Sequence, residues 1–249
     1  MVNNYSEYTK EVEDKLYQLS SGIEHQKKEK LKKYIGTQYD VYALDAKTQI
    51  EACKEGYSFY SDNHSATFDV FNAIYLSSKN FETINQAFIY LDKHDKKIND
   101  KDKYSNLVSW VKKVDNWALS DNLSKHLTRF LEKPEFNGKL IAQLEKWNRS
   151  KNPWERRQSL VSLFYYSRTK KQHVEFDLVQ KHVLNLISDS DYFVQKAVGW
   201  SLRESYNVYP TQTYSLMKQN IKHITSTAFT ASIEKMSIKE KNSLKELRK

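Results

Sequence analysis

The chain has 249 residues, only 5 Gly and 3 Pro, and 40 basic against 31 acidic residues, a formal net charge of +9. So few turn formers exclude an all-β fold and set the expectation at all-α. A mean hydropathy of −0.78, with no apolar run near the roughly 20 residues of a spanning helix, excludes a membrane bundle.

The charge implies an anionic partner, nucleic acid before a membrane surface; a basic but ordinary solvated surface is the alternative. Seventeen Tyr, 11 Phe and 5 Trp exceed what the core of a charged helical protein needs, and aromatic faces beside basic groups suit stacking and cation–π contacts. The lone Cys53 makes no internal disulfide, and MVNNYSEYTK at the amino terminus lacks the apolar stretch of a secretory signal. A reducing cytoplasm is therefore expected.

In chain order, residues 3–20 and Glu24 to Tyr34 read as helices, followed by Asp45 to Glu55 and Thr67 to Ser78. A helix starting near Asn80 carries Phe81, Ile84, Phe88 and Leu91 at helical spacing. KHDKKINDKDK reads as a charged, solvated loop. From about Tyr104 the helices become more regular. DNWALSDNLSKHL from Asp115, KNPWERRQSLVSLFYY from Lys151 and SDYFVQKAVGWSL from Ser190 share a start: a capping residue, an aromatic, then an amphipathic run. The aromatics Trp117, Trp154 and Phe193 are 37 and 39 residues apart, and a period near 40 with paired helices marks HEAT-like repeats. The expected architecture is one domain over residues 1–249, a curved α-solenoid with a concave basic face. Residues 1–25 form its amino-terminal helix, and the lysine-rich residues 235–249 are a capping helix or a loose tail.

Three side chains stand out as candidates. On the helix DYFVQKAVGWSLRESY, Val194, Ala197, Val198 and Ser201 share one arc and Lys196 and Arg203 another. Trp200 lies between them, where core meets basic surface. Gly199 is set on the outward side, where bare backbone admits a close approach. The alternative makes Trp200 a core anchor and Gly199 a helix-packing position. Asp121 follows Trp117 by one turn, placing indole and carboxylate on one side of a helix. A carboxylate on a phosphate-binding surface makes sense if it faces a cation, and otherwise as a solvated group or the partner of an arginine in the next repeat. Arg157 flanks the stripe of Leu160, Val161 and Phe164, and its fork suits a phosphate or an internal salt bridge, to Asp121 itself for instance. The 7 His show no metal-ligand spacing, Cys53 has no evident His partner, and there is no P-loop or GxGxxG. No metal or cofactor is expected.

YFVQKAVGWSLRESY, SKNPWERRQSLVSLFYY and DNWALSD, in reverse chain order, resemble segments of the AlkD-type DNA alkylation repair glycosylases, a HEAT-like all-helical family. KKYIGTQYDVYALDAKTQ resembles that family's early Tyr-bearing segment. The resemblance implies Asp121 as catalytic carboxylate, Trp117 and Trp200 as active-site tryptophans, and Arg157 and Tyr34 as DNA contacts, with Lys196 and Arg203 as further phosphate candidates. It implies a monomer acting on double-stranded DNA with alkylated bases, needing no membrane or obligate protein partner, and releasing cationic N3- or N7-alkylated purines without flipping the base. Ala43 and Lys47 stand where the family often has Gly and Pro, Val111 where it often has a second Trp, and ITSTAFTASIE lacks its arginine. A non-catalytic HEAT-like nucleic-acid-binding module is the alternative, and a protein–protein scaffold a third reading.

Overall fold

The computed structural model describes residues 5–165 and 173–249. Residues 3 and 4 of the expected first helix, and Tyr166 at the end of KNPWERRQSLVSLFYY, lie outside them. The described residues are all-α. They form α1 (Tyr5–Leu19), α2 (His25–Ile35), α3 (Ala46–Glu55), α4 (His64–Ser77), α5 (Phe81–His94), α6 (Asp100–Trp110), α7 (Trp117–Leu127), α8 (Pro134–Asn148), α9 (Pro153–Phe164), α10 (Phe176–Leu186), α11 (Tyr192–Val208), α12 (Pro210–Gln219), α13 (Ser226–Ser232) and α14 (Ile238–Arg248). No strand occurs among them beyond an isolated bridge between Asp40 and Asn80, and no described helix is long and apolar enough to cross a membrane. Short polar side chains set many of the starts. Asp45, Asn63, Asn80, Asn152, Asp191 and Thr225 each accept a backbone N–H of the first turn, which satisfies donors that a helix leaves unpaired.

The chain divides into two compact units, residues 1–119 and 120–249, with the division inside α7. In the first unit α4 packs on α1 and α5, and α3 packs on α5. Its core is aromatic. The Tyr57 and Phe59 rings stack at 5.5 Å, Phe71 meets Tyr90 at 4.8 Å, and Tyr75 stacks on Trp110 at 4.1 Å. Much of the aromatic surplus is therefore packing, a correction to the expectation that it exists for stacking on a ligand. Val111, at the position of the family's second Trp, is buried and presents nothing to solvent.

KHDKKINDKDK is largely solvent-exposed, as expected, but it is not simply a loop. A 3₁₀ turn covers Asp95–Lys97 and α6 already starts at Asp100. Lys103, almost fully buried, closes the segment by ion pairs to Asp95 at 2.9 Å and Asp100 at 3.0 Å. A buried ammonium with two carboxylates is tolerated only because it is paired.

In the second unit the helices form two layers. α9, α11 and α13 pack side by side in one, and α8 packs on α9 and α10 in the other. This alternation is the helical repeat anticipated from the 37- and 39-residue spacing. At the carboxyl terminus the lysine-rich segment is a helix, α14, started by a capping box in which Ser237 and Glu240 satisfy each other's backbone N–H. It packs on α12.

Candidate active site

In the first unit, the start of α7 is fixed by two neighbouring polar residues with different tasks. Asn116 is the cap: its side-chain oxygen accepts the Leu119 N–H at 3.0 Å. Asp115 reaches back to the end of α2, accepting from Thr37 Oγ1 at 2.8 Å and the Gln38 N–H at 2.7 Å. With its helix start held, Trp117 donates its indole N–H to the Tyr34 carbonyl oxygen at 3.1 Å. The Tyr34 ring stands edge-on to the indole, 5.5 Å away at 89°. Tyr34 is 71 % exposed and Trp117 partly so. The pair is an aromatic corner, oriented by a hydrogen bond and open to solvent.

In the second unit, Asp121 and Arg157 form an ion pair, with Nη2 donating to Oδ1 at 2.7 Å. The exposures are unequal: the arginine side chain is 8 % exposed and the aspartate 36 %. The guanidinium also donates through Nη1 to the Phe193 carbonyl oxygen at 3.0 Å and through Nε to Ser120 Oγ at 3.1 Å. Arg157 thus ties α7, its own α9 and α11 together. Three of the five N–H bonds of a guanidinium are engaged inside the protein, so the fork set toward a phosphate in the sequence reading serves Asp121 instead. The internal salt bridge to Asp121 is the alternative the structure adopts. Among the described residues, the other carboxylate oxygen, Oδ2, accepts no hydrogen bond.

On α11, Val194, Ala197, Val198 and Ser201 are buried and Lys196 is exposed, as the helical arcs require. Trp200 is intermediate in exposure and lies 6.4 Å from the Tyr165 ring. Gly199 is a correction. It is buried, and a Cβ built on it would meet the backbone of Ala228 on α13. It is a helix-packing glycine, not an opening toward a ligand. Arg203 is committed as well, bonded to Glu234 at 2.9 Å and to Glu204 at 3.2 Å. Lys196 remains as the exposed cation of this face.

Two features escaped the sequence. Tyr192, 58 % exposed at the first position of α11, stands one turn before Lys196. Beneath Asp121 runs a buried set of Ser120, Ser124, Gln158 and Ser162. Their spacing, i and i+4 on α7 and again on α9, was visible. Serine and glutamine read as surface residues, however, and nothing marked them as a network.

Among curated proteins none matches the sequence. A predicted DNA alkylation repair enzyme from Enterococcus faecalis superimposes with a TM-score of 0.68 at 16 % identity, over 86 % of this chain and 96 % of that one. AlkD2 from Streptococcus mutans gives a TM-score of 0.49 at 18 % identity over 90 % and 96 %. The enterococcal likeness shows the fold. The sequence profile described as DNA alkylation repair enzyme matches residues 16–236, most of the length, and the chain belongs to that family.

Proposed function

We propose that this member of the DNA alkylation repair enzymes is an N-glycosylase that releases cationic N3- or N7-alkylated purines from duplex DNA, without taking the base into a pocket. The observation that carries the reading is the Asp121–Arg157 pair, a partly exposed carboxylate held at one oxygen by a buried guanidinium. Alkylation at N3 or N7 already charges the purine, so it leaves without protonation. Breaking the N-glycosidic bond then builds positive charge on the deoxyribose, as in other glycosidic cleavages. A fixed carboxylate stabilises that charge and orients the attacking water. In this mechanism Asp121 takes that role through Oδ2, and Trp200 and, by the resemblance, Trp117 supply indole faces that stabilise the sugar cation. Arg157 acts through Asp121, while phosphate contacts come from Lys196 and the segment around Tyr34. The description of the Enterococcus protein as a predicted DNA alkylation repair enzyme supports a DNA substrate. No group in this set protonates a neutral base, so uracil is not a substrate.

The test is base release from duplex DNA carrying N7-methylguanine, for the natural chain and Asp121→Asn together. Asparagine keeps an oxygen for Arg157 but not the charge. Release by the natural chain and its loss in the variant, with DNA binding kept in both, supports the reading. Equal release by both removes Asp121 from the mechanism. A second reading is favoured by the depth of the Arg157 anchorage: the pair is a clamp in a non-catalytic binding module. Binding with a steep salt slope and no release of methylated or bulky cationic purines selects it.

A further inference from the structure

The buried polar set beneath Asp121 closes on itself. Ser120 Oγ donates to Gln158 Oε1 at 3.1 Å, and Gln158 Nε2 donates to Ser124 Oγ at 2.6 Å and to Ser162 Oγ at 2.9 Å. Ser124 Oγ donates to the Ser120 carbonyl oxygen at 2.9 Å, and Ser162 Oγ lies 3.5 Å from Ser124 Oγ. All four side chains are fully buried. In this arrangement every side-chain hydrogen has an acceptor, as a buried network requires.

The consequence lies at Ser120. Its one hydrogen is committed to Gln158, so its lone pairs face outward and accept Arg157 Nε–H at 3.1 Å. A rigid planar group held at Nε by Ser120 and at Nη1 by the Phe193 carbonyl oxygen has its remaining edge, Nη2, fixed in direction. That edge holds Asp121. Gln158 touches neither Asp121 nor solvent, yet it sets the hydroxyl on which the orientation of the guanidinium depends.

We propose that Gln158 is a positioning residue for the reaction: through Ser120 and Arg157 it fixes the carboxylate of Asp121. This rests on Asp121 being the catalytic carboxylate. The alternative is that Gln158 only fills and stabilises the α7–α9 interface.

Three variants separate the two, and a fourth, Gln158→Glu, is their control. Gln158→Met keeps the volume and removes the amide, Ser120→Ala removes the hydroxyl, and the third combines both. Base release from N7-methylguanine duplex is followed with Arg157 Nε–H solvent exchange, measured by NMR. If Gln158 acts through Ser120, each single change lowers kcat roughly tenfold to a hundredfold, a misplacement effect, with KM little changed. The double variant is then no slower than the worse single one. Arg157 Nε–H is protected in the natural chain and exchanges faster in each of these three variants. Gln158→Glu folds with an oxygen still present for Ser120 and retains the protection. Losses that multiply in the double variant, or an Nε–H that stays protected in Gln158→Met, overturn the proposal. If the natural chain releases no base, the glycosylase reading falls with the catalytic part of this one. The exchange rates then decide the clamp alone.

Discussion

Gly199 and Ala228 meet backbone to backbone: a Cβ added at Gly199 would lie 2.9 Å from the Ala228 Cα and closer still to its carbonyl oxygen. Glycine in mid-helix is unfavourable by about 1 kcal/mol relative to alanine, and here it lets α11 and α13 pack at that distance. Gly199→Ala therefore sets a helix gain of about 1 kcal/mol against an overpacked contact. No flexible side-chain end can give way. A net destabilisation of about 2 kcal/mol is expected, which lowers Tm by roughly 4–8 °C in a chain of this size. A thermal melt of the variant beside the natural chain checks it, and an unchanged or raised Tm means the two helices can separate at little cost.

Ala43 carries a φ of +61°, the left-handed region that a Cβ disfavours. What holds it there is Glu82, fully buried, whose carboxylate accepts the N–H groups of Tyr42 at 2.9 Å, Ala43 at 2.7 Å and Leu44 at 3.3 Å. The glycine common at this position in the resembling family has a physical reason here. Ala43→Gly relieves strain of about 1 kcal/mol and loses part of it to the freer unfolded chain. The expected outcome is a gain of about 0.5 kcal/mol, seen as a higher urea midpoint at unchanged slope. Ala43→Val, branched in the same conformation, shifts the midpoint the other way.

What the sequence revealed follows from how local each signal is. The starts of α7, α9 and α11 were legible because a cap and the aromatic beside it are neighbours in the chain: Asn116 with Trp117, Asn152 with Trp154, Asp191 with Phe193. Trp200 at the border of core and surface followed from one helix's own periodicity. Gly199 did not, because a helical wheel gives an angle and cannot tell that α13 lies along it. Lys103 read as solvent-facing because the carboxylates of Asp95 and Asp100 add charge to the string without saying that they converge on it. Arg157 and Asp121, 36 residues apart, were both legible as candidates. That each is the other's partner rather than a ligand's is tertiary information, as is the Gln158 network beneath them.

The stability of the chain should fall on mild acidification, and His182 is one named cause. Its Nδ1 lies 2.9 Å from the Leu178 carbonyl oxygen, which it reaches as a donor, and its Nε2 is buried without a partner. Burial pushes the imidazole below its ordinary value. Between that lowered value and the unfolded one near 6.5, the unfolded chain binds more protons. Stability is then full above about pH 6.5 and is lost as the pH falls. His94 is shifted the same way, by burial first and then by His64, Lys93 and Lys97. Glu82, raised by burial, works in the opposite sense from the carboxylate range upward, so the difference between chains isolates one group. Urea melts at pH 7.5 and 5.5, chosen to bracket the imidazole range near 6.5, should show a smaller drop for His182→Asn than for the natural chain. Equal drops remove His182 from the account.

Lys196 and Arg203 share an arc of α11 but not an electrostatic fate, and DNA binding should tell them apart. Arg203 is bonded to Glu234 and Glu204, so a phosphate would have to compete with carboxylates already in place. Lys196 is exposed and makes no ion pair among the described residues, and a phosphate beside it releases a counterion without displacing a protein group. Lys196→Ala should weaken binding to damaged and undamaged duplexes alike and reduce the slope of log K against log salt by about 0.9, one phosphate contact. Arg203→Ala should leave that slope unchanged while lowering thermal stability, because it removes the bonds from the guanidinium to Glu204 and Glu234. Fluorescence anisotropy over a salt series gives both slopes. The reverse ranking would mean that the ion pairs of Arg203 open on binding.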